Sequence, residues 1–374
     1  MLGPANEDQN SDRADQGPIG AAPFKTPFGG AEIARLFRSW EDARGILLAV
    51  SGGPDSVALM LLAAAWAESR AAPPLRVATV DHCLREGSRH EAEQVGAWAA
   101  ALGLPHEILV WDGAKQRSRI QERARQARYD LLFAHAARIG ADIVATAHHA
   151  DDQAETILFR LLRGSGLAGL AGMTGSRERS GLTHSRPLLH RSKAELLAFC
   201  EARAHPSLDD PSNRNPAYAR TRMRALSGFF AAQGLDGAAL LRLGRRAARA
   251  EAALAEQARF LRAGLEAERK PGLFRANIAS LAAQPEEALL RILSLEIQAI
   301  EAQALDDVGP PLRLDRLEAL TLALRKALQS GVSFASTLGG AALRLRADGT
   351  LTIQREKARR RGLTGPKKPP SDAI

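Results

Sequence analysis

The sequence predicts an α/β fold: a doubly wound parallel sheet, then a helical connector and a small α+β C-terminal domain. Three observations predict it. Short apolar runs with strand character alternate with helical segments from Ile46 to about Thr156, the pattern of a parallel sheet covered on both faces. The three least ordinary motifs all follow strand ends, after Val50, Val80 and Ala147, and such sheets bind ligands beyond the carboxyl ends of their strands. Near the other end, Asp348-Gly349 between alternating segments marks a hairpin among helices.

Element by element, Ile46 to Val50 reads as the first strand, followed at once by Ser51-Gly52-Gly53-Pro54-Asp55-Ser56 and an Ala/Leu-rich helix to Glu68. Leu75 to Val80 is a second strand, ending in Asp81-His82-Cys83-Leu84-Arg85. A helix over His90 to Ala101 leads to a third strand, Glu107 to Trp111. An Arg-rich helix from Ile120 to Arg138 precedes the strand Asp142 to Ala147. His148-His149-Ala150-Asp151-Asp152-Gln153-Ala154-Glu155-Thr156 opens the next helix. Gly164 to Gly175 reads as a glycine-rich loop, Ser192 to Ala202 as helix, and Asp209 to Pro216 as a turn segment closing the first domain. Thr221 to Ala263 looks continuously helical, with Gly234 and Gly237 as breaks. Helices over Glu286 to Ala302 and Arg313 to Gln329 and a hairpin over Leu343 to Ile353 complete the pattern. The expected organisation is a disordered leader over 1–30, a sheet domain over 31–220, a helical connector over 221–265, a C-terminal domain over 266–356 and a basic tail over 357–374.

Composition narrows the function classes. At roughly 150 residues per domain, 374 residues make two or three domains. Hydrophobic residues at 45% and charged residues at 25% suit packed cores. Lys+Arg at 51 against Asp+Glu at 42 leave a net charge of +9, which favours polyanionic partners such as nucleic acid. Aromatics at 5% argue against a large base-stacking platform. Two cysteines, Cys83 and Cys200, exclude a disulfide scaffold and a four-cysteine zinc site, and fit a reducing compartment. No apolar stretch is long enough to span a bilayer, since Asp55 and two glycines interrupt Leu47 to Trp66. The first residues lack a charged-then-apolar signal layout, so a cytoplasmic protein is expected.

Strand, Ser-Gly-Gly-Pro-Asp-Ser, helix is the makeup of an anion cradle. Two glycines let backbone N–H groups converge, the helix start adds partial positive charge, and Ser51 and Ser56 add hydroxyls. Pro54 suits a first helical turn, where its missing N–H costs little. A tight turn with Ser/Asp capping is the plainer alternative. Neither Gly-x-x-x-x-Gly-Lys nor Gly-x-Gly-x-x-Gly is present. His149, Asp152 and Glu155, at three-residue spacing, share one helix face. Carboxylates at a helix start also stabilise the macrodipole, a role that suffices for Asp151.

Ser51 to Ser56 resembles the pyrophosphate loop of the N-type ATP pyrophosphatases (the PP-loop superfamily), which cleave ATP to AMP and diphosphate while adenylating a substrate. Within that superfamily, Val80 to Arg85, Ala124-Arg125-Gln126-Ala127-Arg128-Tyr129 and His148 to Thr156 are similar to segments of the tRNA(Ile)-lysidine synthases. So are Arg163-Gly164-Ser165-Gly166, Arg186-Pro187-Leu188-Leu189 and Asp210-Pro211-Ser212-Asn213, in the same order. In Tyr218 to Arg224, Arg220, Arg222 and Arg224 fit that family's pattern, whereas Thr221 stands for an Asn and Asn215 for an Asp. The resemblance covers Arg44 to Arg224; beyond, it is confined to Thr337-Leu338-Gly339-Gly340 and the Ile353 to Glu356 end.

The resemblance implies a ligase that joins L-lysine to C2 of the wobble cytidine in the CAU anticodon of tRNA(Ile), changing codon reading from AUG to AUA. It implies ATP as substrate and Mg²⁺ as cofactor. Ser51, Gly52, Gly53, Pro54, Asp55, Ser56 and Asp81 would bind ATP; Asp55, His149, Asp152, Glu155 and Arg128 would be catalytic; Asp55 and Asp152 would position the metal. Acidic groups on the 149–155 face would hold the lysine ammonium, and Arg85, Arg125 and Arg128 would neutralise phosphate. For tRNA, Arg220, Arg222 and Arg224 are candidates, with Arg242 and Arg246 from a stripe that also holds Arg245 and Arg249. The alternative for that stripe is a solvated face paired with Glu251 or Glu256. A related tRNA thiolase or amidotransferase-type synthetase, and a non-catalytic nucleotide-binding module, are the other classes. The thiolase reading wants a cysteine pair, and no Cys-x-x-Cys exists. A homodimer is left open.

Overall fold

The computed structural model describes residues 28–68, 72–84, 87–113, 120–208, 228–302 and 312–356. The chain divides into two units: residues up to Thr156 with Met173–Gly237, and Ile157–Gly172 with everything from Ala238.

In the first unit the elements run α1 (Gly30–Leu36), β1 (Ile46–Ala49), α2 (Pro54–Glu68), β2 (Leu75–Asp81), α3 (Ser88–Ala101), β3 (His106–Val110), α4 (Ile120–Arg138), β4 (Ile143–Ala145) and α5 (Ala150–Leu161). After a short α6 (Leu167–Leu170), assigned to the second unit, come β5 (Ser176–Arg179), β6 (Leu182–Ser185) and α7 (Lys193–Glu201). The strands form one sheet in the order β3-β2-β1-β4-β6-β5, parallel except for the β5–β6 hairpin. The chain builds outward from β1 to β3, then crosses back to lay β4 on the other side of β1. The strand order therefore reverses between β1 and β4, and that is where a ligand crevice opens in such a sheet.

β1 is buried along its whole length, and its side chains alternate between two cores. Ile46, Leu48 and Val50 join Trp40, Trp66, Leu62 and Phe199 on one face, while Leu47 and Ala49 meet Tyr129, Leu132 and Phe133 of α4 on the other. α2 packs against α1 and α7 as well as the sheet, which explains a helix apolar all round with no polar stripe. At the amino end of the sheet, the Asp142 carboxylate accepts the amides of Arg44 at 3.1 Å and Gly45 at 3.5 Å, clamping the start of β1 to the start of β4.

The second unit holds most of α8 (Gly237–Ala263), then β7 (Ala267–Lys270), β8 (Leu273–Asn277), α9 (Glu286–Ala302), α10 (Leu314–Gln329), β9 (Phe334–Leu338), β10 (Ala341–Leu345) and β11 (Thr350–Arg355). Its antiparallel sheet, ordered β7-β8-β11-β10-β9, buries Phe274, Leu343 and Ile353 against Ile292, Leu293, Ile297 and Leu324 of the helices. The buried Glu296 carboxylate is shared by Arg262 at 2.8 Å and Arg269 at 3.0 Å.

Several expectations need correcting. The hairpin of Asp348-Gly349 forms as expected, but three further C-terminal strands, β7 to β9, join it. In the described part of the 221–263 segment the breaks fall at the expected glycines: residues 228–232 are helical, Gly234 turns at φ +85°, and α8 starts at Gly237. The glycine-rich stretch contains α6, and the β5–β6 hairpin after it was not expected from the sequence, because Leu182-Thr183-His184-Ser185 carries no apolar run. Two of those residues are buried as polar groups, Ser185 satisfying Trp40 Nε1 at 2.9 Å. Residues 1–27 of the expected leader, the 209–216 turn segment and the basic tail lie outside the described residues, whereas Phe28 is buried and α1 starts at Gly30, so folded chain is already present within the expected 1–30 leader. No helix among the described residues is long and apolar enough to cross a membrane.

The Asp142 clamp gives a signed pH prediction. Burial alone would raise this carboxyl, but the Arg44 and Gly45 amides hold it below the ordinary aspartate value. Its stabilisation is therefore complete above the unfolded-state pKa and is lost as pH falls through the lower folded value. Asp142→Asn should cost about 1 kcal/mol at neutral pH. In urea denaturation against pH, its gap from the parent should close on the acid side; a pH-independent gap contradicts the clamp.

Candidate active site

The phosphate-type loop leaves β1 at the strand-order reversal. Gly53 accepts the amides of Ser56 and Val57 at 3.0 Å each and so starts α2, with Pro54 in the first turn as its missing N–H allows. The Ser56 hydroxyl donates to Gly53 O at 2.8 Å and accepts the Ser51 amide at 3.2 Å, closing the loop on itself. The amides of Gly52 and Gly53 keep no partner among the described residues, the condition for an anion cradle. Gly52 sits at φ +88°, where an added Cβ would lie 2.4 Å from Leu208 Cδ1. Leu208 also donates its amide to Gly52 O at 2.9 Å, so the loop is held from behind by a residue far along the chain. Sequence reasoning missed Leu208, since a leucine in a polar turn region carries no signal of such a contact.

α5 starts beside this loop. His149 is buried, 3% exposed, and its Nε2 lies 3.4 Å from Asp55 Oδ2 and 3.5 Å from Asp152 Oδ2. Its Nδ1 is 3.5 Å from Asp151 Oδ2. Asp152 also accepts the His149 amide at 3.3 Å, as a carboxylate in a first helical turn does. Burial alone would lower the His149 pKa; the bond to Asp55 and the charges of Asp152 and Asp151 outweigh it and raise the imidazole above its ordinary value. Asp151, expected only to stabilise the helix start, additionally accepts the Lys193 amide at 2.9 Å and fixes the start of α7. Asp55 Oδ1 is buried with no hydrogen-bond partner among the described residues. Glu155 lies one turn further along α5, half-buried.

The other expected residues fall as follows. Asp81 is buried at the end of β2, but its Oδ1 is engaged by the Cys83 amide at 2.8 Å and the Ser88 hydroxyl at 2.7 Å. Burial pushes this carboxyl up, and the Ser88 and Cys83 bonds bring it below the ordinary value. That oxygen shapes the β2–α3 loop, in which Cys83 takes φ +48°. Arg128 on α4 is half-buried; burial, then Arg125, lower its pKa. Both cysteines are free thiols, and burial, with Asp55 nearby, pushes Cys200 up to about 11. Arg242, Arg245, Arg246 and Arg249 are all exposed on α8. The pairing alternative for them fails: Glu251 is taken by Arg291 at 2.7 Å and Glu256 by Arg259 at 2.9 Å. Arg85, Arg220, Arg222 and Arg224 lie outside the described residues.

A metal fits this site only in company. Among the described residues no group of three or more His, Cys, Asp or Glu side chains could hold an ion by itself. The unpartnered Asp55 Oδ1 and the nearby Asp152 are hard oxygen donors of the kind Mg²⁺ takes together with phosphate oxygens.

A family model described as a PP-loop domain matches residues 29–227. The chain is 47% identical over 336 residues to a tRNA(Ile)-lysidine synthase of Methylobacterium sp. (strain 4-46), covering 88% of this chain and 95% of that one. It is 45% identical over 332 residues to the tRNA(Ile)-lysidine synthase of Rhodopseudomonas palustris (strain ATCC BAA-98 / CGA009), covering 85% and 92%. Among solved structures, a U34-tRNA thiolase from Methanococcus maripaludis aligns at TM-score 0.49 and 15% identity, over 58% of this chain and 77% of that one.

The two loop glycines should respond differently to a methyl group. Gly52→Ala meets both Leu208 and the positive φ, which alone costs about 1–2 kcal/mol. An alanine Cβ at Gly53 meets nothing nearer than Ser51 Oγ at 4.0 Å. Titration with ATP should show a much larger loss of affinity for Gly52→Ala than for Gly53→Ala. Equal losses contradict the Leu208 contact.

Proposed function

This chain belongs to the tRNA(Ile)-lysidine synthase family of PP-loop enzymes, and from that premise we infer that it is the ligase for ATP-dependent lysidine formation on tRNA(Ile). The observation that carries the reading at atomic level is the meeting of Asp55 from the loop and Asp152 from α5 on one imidazole. It ties the ATP cradle to the motif after β4.

In the proposed course, O2 of the wobble cytidine attacks the α-phosphorus of ATP and diphosphate departs. The lysine ε-amine then attacks C2, and AMP leaves with the former O2. Adenylation is needed because a base carbonyl oxygen is a poor leaving group and a phosphate monoester a good one. Ser51 to Ser56 cradle the departing diphosphate with free amides and the start of α2. Asp152 and Glu155, with Asp151 at the rim, supply the negative potential that draws the lysine ammonium and takes up its proton load. Arg128 is assigned to neutralise phosphate charge. When bound, Mg²⁺ would neutralise phosphate charge, with Asp55 and Asp152 as its protein ligands. Asp81 acts here by shaping its loop. The exposed arginines of α8, with Arg220, Arg222 and Arg224, are assigned to the tRNA backbone. We also assign the protein to the cytoplasm, where its free thiols would stay reduced.

One assay tests the core of this. Unmodified tRNA(Ile) with a CAU anticodon, ATP and labelled lysine should yield tRNA-bound label only when ATP is present, and Asp55→Ala should abolish it. Multiple-turnover diphosphate release with no lysine joined to the tRNA, or no turnover by the parent protein, contradicts the assignment.

The α8 stripe has its own test. Arg242→Glu with Arg246→Glu should weaken tRNA binding and leave ATP binding intact. The slope of log affinity against log salt should flatten by roughly 0.7–0.9 for each lost phosphate contact. An unchanged slope removes the stripe from the tRNA surface.

A further inference from the structure

Next to the site, on the side away from the carboxylates, a chain of polar groups runs through the ends of β6 and β4. Arg186 NH2 lies 3.0 Å from His184 Nδ1, His184 Nε2 lies 2.9 Å from Thr146 Oγ1, and Thr146 Oγ1 lies 2.8 Å from His148 Nδ1. His184 and Thr146 are buried, 3% and 2% exposed; His148 is half-buried at the carboxyl end of β4, one residue before His149. None of these residues has a role in the reaction derived above.

The chemistry of the groups fixes the direction of every bond. A guanidinium only donates, so His184 Nδ1 accepts and the ring's proton sits on Nε2. His184 Nε2–H therefore donates to Thr146 Oγ1. The Thr146 hydroxyl proton is buried and must find an acceptor, and the remaining neighbour is His148 Nδ1. His148 Nδ1 accepts, which leaves the proton of its neutral ring on Nε2, an atom with no partner among the described residues.

The surroundings keep both rings neutral. Burial, then Arg186, Arg125 and Arg128, push His148 down to about 2; burial, then Arg186 and Arg179, push His184 down to about 3. These arginines come from the end of β6, from α4 and from β5, and among them Arg179 is paired with a carboxylate, Asp130 at 2.9 Å. A cationic imidazole is repelled there. A neutral N–H donor is not, and the same guanidiniums attract the anion to which it would donate.

We propose that Arg186, His184 and Thr146 are positioning residues that lock His148 as a neutral Nε2–H donor, and that this N–H binds a phosphoryl oxygen during the reaction. The phosphoryl assignment rests on the adenylation reading given above, whereas the tautomer does not. Phosphoryl oxygens come from ATP or from the tRNA backbone, and the kinetics distinguish the two.

Nitrogen-15 NMR of histidine-labelled protein should show His148 as the neutral Nε2–H tautomer, unchanged between about pH 5 and pH 8. Thr146→Val removes the relay while keeping the shape, and should release the tautomer and lower kcat/KM on the order of tenfold to a hundredfold, the range for a hydrogen bond to a charged group. Thr146→Ser should restore both. A loss seen as a higher KM for ATP assigns the oxygen to ATP; one seen as a higher KM for tRNA assigns it to the backbone. If Thr146→Val does not fold, His148→Gln, which keeps a donor near the Nε2 position, should retain more activity than His148→Phe. An Nδ1–H or cationic His148 in the parent protein overturns the proposal, as do parent-like kinetics in Thr146→Val with the tautomer lost, or equal losses in the two His148 variants. The NMR experiment needs no substrate, so a failed lysidine assay leaves the tautomer standing, and a wrong tautomer sinks the relay whatever the enzyme makes.

Discussion

The site depends on β1 and β4 being neighbours with helices leaving both at the same end. Parallel pairing fixes their register, Ile46 opposite Ile143, and the Asp142 carboxylate pins their amino ends. With that end fixed and β1 buried on both faces, the carboxyl ends cannot drift apart without tearing two cores at once. The starts of α2 and α5 are then close enough for one imidazole to touch an aspartate from each. Two helix N-termini side by side make a field that favours anions. The same field makes Asp55, Asp151 and Asp152 tolerable so close together, with His149 between them.

The adjacent histidines show how sharply that crevice is divided. His148 and His149 are consecutive, yet their proton affinities are displaced in opposite directions. Chain direction at a strand end turns one ring toward the arginines of α4 and β6 and the other toward the carboxylates of α2 and α5. Neighbouring groups whose environments push their pKa values apart are a mark of a site with separate duties for each. Charge in this unit is therefore not spread evenly. It is organised as a basic flank beside an acidic centre.

Much of this was legible in the sequence, for definite reasons. Ser51 to Ser56 interrupts an apolar pattern with residues that only a special turn needs, and His149 with Asp152 keeps helical spacing, so both could be placed without coordinates. β6 was not legible, because its inward residues are polar and earn burial only through distant partners, Trp40 for Ser185 and Thr146 for His184. Asp81 was readable as a strand-end carboxylate, but its commitment to Ser88 was not, since side-chain bonding to a loop leaves no periodic trace. That Glu251 is held by Arg291, forty residues away, and not by the arginine stripe, was likewise hidden. In each case the hidden part is a long-range pairing between residues whose local context is ordinary.

Leu208 extends the argument from chemistry to packing. A glycine at positive φ could be explained by the turn alone, but the space its missing Cβ leaves is filled by a leucine side chain, and its carbonyl is held by that leucine's amide. The loop's outer side stays free to present amides while its inner side is fixed by contacts that ligand binding need not disturb. Such a loop loses little conformational entropy when an anion arrives, so more of the interaction is available for binding. The rigidity comes from a residue with an apolar side chain. The cradle's preorganisation is thus a property of the fold as much as of the motif.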